Sequence, residues 1–279
     1  MRTGFCLYFL PFVFNLFLVS SFFLSENLIA GDLDKYKIVH ADAVSHGGVR
    51  QELSGNVVVE FGKIRLKASR MVYDSSKSEL KAWGNVEIVD PSFKLFCSRL
   101  NYYIKKSEAV AWGDPRLIFI EEATDGKESK TILKGVQIRI FSKEQRVQVF
   151  EDVVLVKHKA SSDESGAIEF RVQCESMESL RRVRRTTFKG KVMLETPTVG
   201  AASDKAIFDQ LNSRFYLLGN SNAWNYSLSG DKVNSVEGGK IVYFLKEKKT
   251  VVIGNVMADV LPDVKTGERI IPLRIDEIK

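Results

Sequence analysis

A repeated Gly-Asn-Val motif constrains the fold of this chain more than any other feature of its sequence. The glycine that begins each copy is called the anchor of one unit. The full motif begins at Gly55, Gly84 and Gly254, and partial copies are Gly113-Asp114, Gly190-Lys191-Val192 and Gly219-Asn220. Glu151 stands in place of a glycine between Gly113 and Gly190. Self-similarity at a period of roughly 20 to 50 residues is typical of repeat proteins, whose stacked units share one core.

A second marker fixes the layout of each unit. A small residue lies 16 positions before each anchor after the first, and these residues are Ala68, Cys97, Gly135, Cys174, Ser203 and Gly238. Variation in length falls between an anchor and the next small residue. Because loops tolerate insertions and strands do not, the pattern predicts six units, each with a rigid stretch and a loop of variable length.

Apolar residues alternate with polar ones within a unit, as in Val57–Phe61 and Ile64–Ala68. Alternation with a period of two, rich in Val, Ile, Tyr and Phe, is typical of half-buried strands. The parity then changes, which predicts a β-bulge near Ser69-Arg70 and, one unit later, near Ser98-Arg99. No stretch after residue 30 has a helical stripe. The sequence therefore predicts an all-β protein, with antiparallel strands stacked as an open jelly roll, a twisted half-barrel or a slab.

The N-terminus has the pattern of an export signal. Residues 5–24 are almost wholly apolar, Arg2 precedes them, and Ala30 ends the segment beside Gly31. This pattern predicts a secretory signal peptide over residues 1–30. The apolar run is also nearly long enough to span a bilayer as an uncleaved anchor helix. We expect residues 31–279 to form one elongated domain of six stacked units, exported in either case.

The end units lack a neighbour on one side. We therefore expect open strand edges at Tyr36–Val44 and at Arg269–Ile275. Cys97 and Cys174 occupy the same place in two different units. If those units stack two strands apart, the sulfur atoms are too distant for a disulfide, so we expect two buried free thiols.

Composition and motifs argue against several classes of function. The net charge of +6 arises from 41 basic and 35 acidic residues and is too diffuse to indicate a nucleic-acid partner. His40, His46 and His158 have no ligand spacing, so no metal site is predicted. Nucleophile motifs and phosphate loops are absent from the sequence, and no cofactor or enzyme activity is predicted. Paired carboxylates of a polysaccharide-active β-repeat enzyme remain an alternative.

The stretches Leu53–Val59, Ile64–Asp74 and Leu80–Val86 together resemble the OstA-like repeat of the LptA-like lipopolysaccharide-transport bridge proteins. Ile38–Asp42 is similar to the opening strand of that family. The resemblance is strong over residues 36–115, weaker over 190–260, and stretched by insertions in between. The chain is longer than the simple bridge proteins, and it lacks the large membrane barrel of the outer-membrane translocon in the same family.

This resemblance implies a periplasmic β-jelly roll whose two sheets splay around an apolar interior that shields the acyl chains of lipopolysaccharide. Alternation then predicts which side chains line the interior, although the same residues would also suit an ordinary dry core. The candidates, called the lane residues, are Val57, Val59, Phe61, Ile64, Leu66, Met71, Leu80, Val86, Ile88, Leu95, Leu100, Leu194, Phe208, Phe215 and Leu217.

A cluster of arginines supplies a candidate contact for phosphate or an anionic headgroup, because arginine pairs with phosphate through two hydrogen bonds. Its members are Arg181, Arg182, Arg184 and Arg185. A solvated strand face or hairpin tip is the alternative.

The function predicted from sequence is a lipid carrier, or bridge, in lipopolysaccharide transport to the outer membrane. The expected partners are lipopolysaccharide or a similar acylated glycolipid, transport components of both membranes at the edge strands, and possible further copies of the chain. The expected location is the periplasm, with residues 5–24 as a potential tether to the inner membrane. A scaffold that polymerises through its edges without lipid is the main alternative.

Overall fold

The structure is a computed structural model, and it describes residues 37–260 except 62, 123–127, 161–166 and 228. The described residues form antiparallel strands, joined in two places by short 3₁₀ helices at Ile104–Lys106 and Arg181–Val183. The all-β prediction is confirmed. The strands are β1 (Lys37–His40), β2 (Ala43–Gly47), β3 (Arg50–Phe61), β4 (Ile64–Asp74), β5 (Glu79–Asp90), β6 (Phe93–Tyr103), β7 (Glu108–Trp112), β8 (Arg116–Glu122), β9 (Glu128–Lys134), β10 (Gln137–Phe141), β11 (Arg146–His158), β12 (Ile168–Leu180), β13 (Arg185–Glu195), β14 (Val199–Asp209), β15 (Arg214–Tyr226), β16 (Lys232–Phe244), β17 (Lys249–Ile253) and β18 (Met257–Asp259).

Four of the anchor motifs, at Gly55, Gly84, Gly190 and Gly219, are β-bulges within a strand, whereas Gly113 and Gly254 lie between two strands. Ser54 pairs with Arg70 and Val57 with Ala68, so the two residues Gly55-Asn56 face the single residue Ser69. Both bulge residues have positive φ, 74° for Gly55 and 47° for Asn56. Glycine adopts this conformation without steric cost, and asparagine tolerates it better than most residues.

The predicted position of the bulge is therefore corrected. The inward parity does change around Ser69-Arg70, since these two residues are exposed between buried Ala68 and Met71. The extra residue, however, lies in the neighbouring strand, at the Gly-Asn motif. The same holds for Ser98-Arg99, where Ser98 faces the bulge at Gly84-Asn85 and Arg99 pairs with Trp83. Alternation in one strand reports a register shift without telling which of the two paired strands carries the added residue.

The line of bulges divides the strands into two halves. The turn-side half ends in four-residue turns at 75–78, 104–107, 142–145, 181–184, 210–213 and 245–248. The loop-side half ends in connections that vary from the two residues 62–63 to the nine residues 159–167. The predicted separation of a rigid stretch from a variable loop is thus confirmed.

The two halves face each other. Phe170 in the loop-side half of β12 lies 5.0 Å, centroid to centroid, from Phe215 in the turn-side half of β15. Three strand spacings separate β12 from β15, which in a flat sheet amounts to roughly 14 Å before any offset along the strands. The sheet must therefore fold over at the bulge line, so that the two halves form the layers of a jelly roll.

Each layer has an open edge at both ends of the described chain. At one end β1 and β2 pair only with β3. At the other end β17 and β18 pair only with β16. The predicted edge at Tyr36–Val44 is confirmed from Lys37 onward, whereas Tyr36 and the predicted edge at Arg269–Ile275 lie outside the described residues. The predicted segment 1–30 also lies outside them, and a single domain over 31–279 stays a prediction.

Cys97 and Cys174 are buried and free, as predicted. The assumed distance needs correction. In the loop-side half β8, β9 and β11 lie between β6 and β12, so four strand spacings, roughly 19 Å, separate the two cysteines. Burial raises the pKa of each thiol to about 12, which keeps both sulfur atoms protonated.

Candidate functional site: the apolar interior

The space between the two layers is lined by one continuous set of apolar side chains. This set runs from Leu53 in the first unit to Tyr243 in the last and draws on nearly every strand in between. Its continuity follows from the repeat, because equivalent inward positions of neighbouring units stand side by side in the sheet. A repeat of half-buried hairpins thus produces an apolar interior as long as the stack itself.

The structure brings all of the lane residues to this interior. Thirteen of the fifteen are buried, and Leu95, Leu194 and Leu217 have no exposed surface. Phe61 and Ile64 are partly buried and pack against the same core beside the hairpin that joins β3 and β4. The lane residues therefore contact one another in the structure described here, and a ligand would have to replace some of these contacts.

The interior reaches the surface at both ends of the described chain. Ile38 and Ala41 at the first edge are partly buried and pack against the core. Val236 and Val252 do the same at the opposite edge. Apolar side chains on the edges are exposed as well, including Val44 at 54% and Met257 at 67%. Within the described residues, no element caps the apolar interior at either end.

Four phenylalanines fill the interior of the later units. Phe208 and Phe215 stack with centroids 4.5 Å apart, and Phe170 meets both rings edge-on. Phe188 lies 6.4 Å from Phe215. We call these four residues the aromatic block. Because Phe170 belongs to the loop-side layer and the other three to the turn-side layer, the block joins the two layers directly.

The candidate arginines do not act as one cluster. Arg182 and Arg185 are exposed, and Arg184 has a left-handed backbone at the end of the turn, with φ of 49°. Arg181 instead points toward the opposite layer, where its guanidinium lies 4.8 Å from the ring centre of Phe119. Burial lowers the pKa of Arg181, while the charges of Glu121 and Asp90 act against that shift.

Sequence reasoning missed part of the interior. Phe170 and Phe188 are fully buried, as are Ile138 and Leu133. Phe188 and Ile138 occupy the same places relative to the markers as residues in the first units, so the repeat register contained a signal for them. Phe170 had a signal too, because it lies four residues before Cys174, as Ile64 lies four residues before Ala68.

Two further observations concern the described residues only. They contain no group of three or more His, Cys, Asp or Glu side chains arranged to hold a metal ion. They also contain no helix with the length and apolar character needed to cross a membrane.

Fold and interior together define a class of protein: a two-layered β-repeat with an apolar interior that reaches open strand edges. A family profile described as LptA/(LptD N-terminal domain) LPS transport protein matches residues 49–249. The chain belongs to this family of lipopolysaccharide-transport proteins, which confirms the resemblance seen in the sequence.

The comparison with solved structures finds LptH, the LptA-homologous periplasmic component of the lipopolysaccharide transport device of Pseudomonas aeruginosa. The two chains share 13% identity, with a TM-score of 0.31, over 71% of this chain and 95% of LptH. The comparison with curated proteins gives no match.

Proposed function

We propose that this chain is a periplasmic bridge protein that shields the acyl chains of lipopolysaccharide between its two layers. The observation that carries the proposal is the apolar interior, which is continuous along the stack and, within residues 37–260, reaches an open edge at each end. Membership of a lipopolysaccharide-transport family supports the same substrate.

The energetics favour such a role. Each CH₂ group moved from water into an apolar interior contributes about 0.8 kcal/mol. A chain of about twelve such groups therefore gains roughly 10 kcal/mol. The lane residues are already buried against one another in the free protein. The net free energy of lipid binding is therefore smaller, because the lipid must first displace these contacts. A carrier must release its cargo, and a reduced net affinity suits that requirement.

The open edges supply the proposed contacts with partners. An edge strand presents unpaired backbone N–H and C=O groups, which another strand can extend. We propose that β1 and β2 at one end and β17 and β18 at the other receive transport components of the two membranes or further copies of this chain. The exposed valines and methionine at these edges would be buried in the contact.

The exposed arginines Arg182 and Arg185, with Arg184 beside them, are proposed to contact phosphate groups of the lipid headgroup. Arg181 is assigned differently. Its contact with Phe119 and its nearby carboxylates favour a role in holding the turn against the opposite layer.

Photo-crosslinking in cells tests whether the lane residues contact lipopolysaccharide. A crosslinking amino acid at Phe61 or Leu217 faces the interior, and one at Lys67 is the outward control. Lys67 is exposed and forms an ion pair with Glu87, with Nζ 2.9 Å from the carboxylate oxygen. We expect adducts with lipopolysaccharide from the two inward sites and none from Lys67. Adducts from Lys67 alone would overturn the proposal.

A scaffold without lipid is the second candidate, because the lane residues are packed against each other in the free protein. Acyl lipid that co-purifies with the wild-type chain, and is lost when Leu217 is changed to Asp, would decide for the carrier. Polymers that form through the edges of a lipid-free chain, combined with silent inward crosslinking sites, would decide for the scaffold.

A further inference from the structure

The outer surface of the turn-side layer carries a row of side chains that the lane does not use. In the first units this row consists of Arg70, Trp83, Arg99 and Trp112, which we call the Arg–Trp ladder. Arg70 pairs with Trp83, Trp83 with Arg99, and Arg99 with Trp112, so the four residues stand side by side on β4, β5, β6 and β7. Cations and indole rings thus alternate across four strands.

The ladder is accessible and partly organised. The Arg70 side chain is 52% exposed, forms an ion pair with Glu52, and places its guanidinium carbon 5.8 Å from the centre of the Trp83 ring. Arg99 is exposed, and both tryptophans are only partly buried. A cation held over an aromatic face is attracted by the ring quadrupole, which limits the freedom of both side chains before any ligand arrives.

The ladder is not a consequence of the repeat. The row continues as Gln137, Phe150 and Ser176 on β10 to β12, and then as Lys189, Lys205, Leu218 and Lys240 on β13 to β16. Phe150 is an aromatic ring in this row, and Arg139 places its guanidinium carbon 5.6 Å from the ring centre. Strands β13 to β16 carry similar positive charge in the row but no aromatic ring. Among the described strands, the alternation of two cations with two indole rings is therefore confined to β4 to β7.

The spacing of the rings indicates the type of ligand. Trp83 and Trp112 lie on β5 and β7 with β6 between them, so their Cα atoms are about 10 Å apart, twice the strand spacing, which is close to the length of two linked pyranose rings. The C–H face of a pyranose packs on an indole ring. Between the two rings, Arg99 is placed to hold a carboxylate or phosphate group through two hydrogen bonds.

We propose that the Arg–Trp ladder binds an extended anionic glycan that runs across β4 to β7. The proposal goes beyond the carrier function and is independent of it, because the ladder and the lane lie on opposite faces of the same strands. A single-stranded nucleic acid fits the surface less well. Such ligands need a positive groove that tracks the backbone, whereas Glu52 lies beside the ladder on the same face and forms an ion pair with Arg70.

The test uses the full chain and a hyaluronate octasaccharide, which carries one carboxylate per disaccharide. Two of the three tryptophans in the sequence belong to the ladder, so intrinsic fluorescence reports binding directly. We expect saturable quenching in the wild type that weakens with added salt. R70A/R99A should bind more weakly, by about tenfold for each charge-assisted contact removed. W83L/W112L lacks the two fluorescent reporters, so its affinity is measured by calorimetry beside the wild type; it should lose affinity without any change in net charge.

The matched control is K189A/K205A, which removes two positive charges from the same row outside the ladder. Its affinity should remain within about twofold of wild type, since it keeps every proposed contact. Equal losses in R70A/R99A and K189A/K205A would overturn the proposal by showing attraction to net charge alone. An oligothymidylate of equal charge that binds as tightly as the glycan would overturn it as well, as would the absence of quenching at low salt. Thermal unfolding of each variant checks that the surface changes leave the fold intact.

Discussion

The first and the later units of this protein share one backbone plan but differ in what fills it. Between Leu53 and Leu117 the buried interior is mostly aliphatic, with Leu, Val, Ile and Met side chains. Between Phe170 and Phe215 the aromatic block joins the two layers through the ring contacts of Phe170 with Phe208 at 5.1 Å and with Phe215 at 5.0 Å. The repeat therefore determines where strands and bulges form, whereas the inward side chains determine how strongly the two layers pack together.

The largest effect is expected at the aromatic block. Phe215→Ala removes a fully buried ring that contacts Phe170, Phe188 and Phe208. It should lower the free energy of unfolding by about 3 to 5 kcal/mol. The matched variant in the first units is Leu95→Ala, which should cost about 2 to 3 kcal/mol because it removes fewer buried atoms and leaves a smaller cavity. Urea unfolding measures both, and a larger loss from Leu95→Ala would contradict the proposed difference between the units.

The bulges give the next largest effect. Gly84 has φ of +75°, and a methyl group there would lie 2.5 Å from the Ser69 Oγ. Gly254 has nearly the same φ but no atom within 4 Å of the added group. Gly84→Ala should therefore cost about 3 kcal/mol, and Gly254→Ala about 1 kcal/mol, the cost of the left-handed backbone alone. Thermal unfolding distinguishes the two, and equal losses would show that the contact with Ser69 contributes nothing.

The labelling rates of the two cysteines compare the first and the later units without any substitution in the core. Both thiols have a pKa near 12, so labelling at pH 8 proceeds only when the interior opens locally. We expect Cys97, among aliphatic side chains, to be labelled a few-fold faster than Cys174. Mass spectrometry of the labelled peptides measures the ratio. Faster labelling of Cys174 would mean that the aromatic block does not restrain its surroundings.

The same thiols predict an alkaline loss of stability. The pKa of each thiol is about 9.0 as an unperturbed reference and about 12 in the folded chain. Only the unfolded chain then releases these protons as the pH rises through that interval. Stability should be unaffected by the thiols below pH 9 and should fall between pH 9 and 12. The double variant Cys97→Ala/Cys174→Ala should lose this part of the pH dependence.

The smallest effect concerns the turns. In the 210–213 turn, Asp209 accepts hydrogen bonds from the Leu211 and Asn212 backbone N–H groups and from the Asn212 side chain. The Asn212 side chain is the main cause of the lowered pKa of Asp209. The stabilisation is present at neutral pH and is lost as the pH falls through this lowered pKa. Asp209→Asn should cost a few tenths of a kcal/mol near pH 7 and less in acid.

Asp74 holds the equivalent place in the first of these turns, where hydrogen bonds from the Ser76 hydroxyl and the Lys77 backbone lower its pKa. Asp74→Asn should therefore act in the same direction. Urea unfolding at pH 7 and pH 3 tests both variants. A loss of stability that is larger at pH 3 than at pH 7 would contradict the proposal that the ionised carboxylates stabilise these turns.

The sequence predicted the strands, the rigid stretches and the variable loops because spacing along a chain maps directly onto a stack. It placed the bulge in the wrong strand. The alternation around Ser69 shows that the register of two paired strands shifts, but not which of the two strands carries the extra residue. The sequence also underestimated the distance from Cys97 to Cys174, since the chain inserts β8 and β9 between their strands. Spacing gives the number of units but not the order in which their segments lie side by side.

The interior was predictable only in part. Leu95 and Leu217 follow from alternation and from the register of the units. Contacts between the layers, such as Phe170 with Phe215 or Arg181 with Phe119, depend on how the sheet folds over, and no local pattern encodes that step. The Arg–Trp ladder was visible as four residues beside the markers. Its alternation emerges only when the strands are placed next to each other.

The bulge line has a mechanical consequence. At Gly55, Gly84, Gly190 and Gly219 a bulge interrupts the regular pairing of neighbouring strands, and these bulges lie along one line across the sheet. A change in the angle between the layers can therefore be taken up along this line, where the pairing is already irregular. The angle between the two layers can thus change while the strand pairing within each layer is kept.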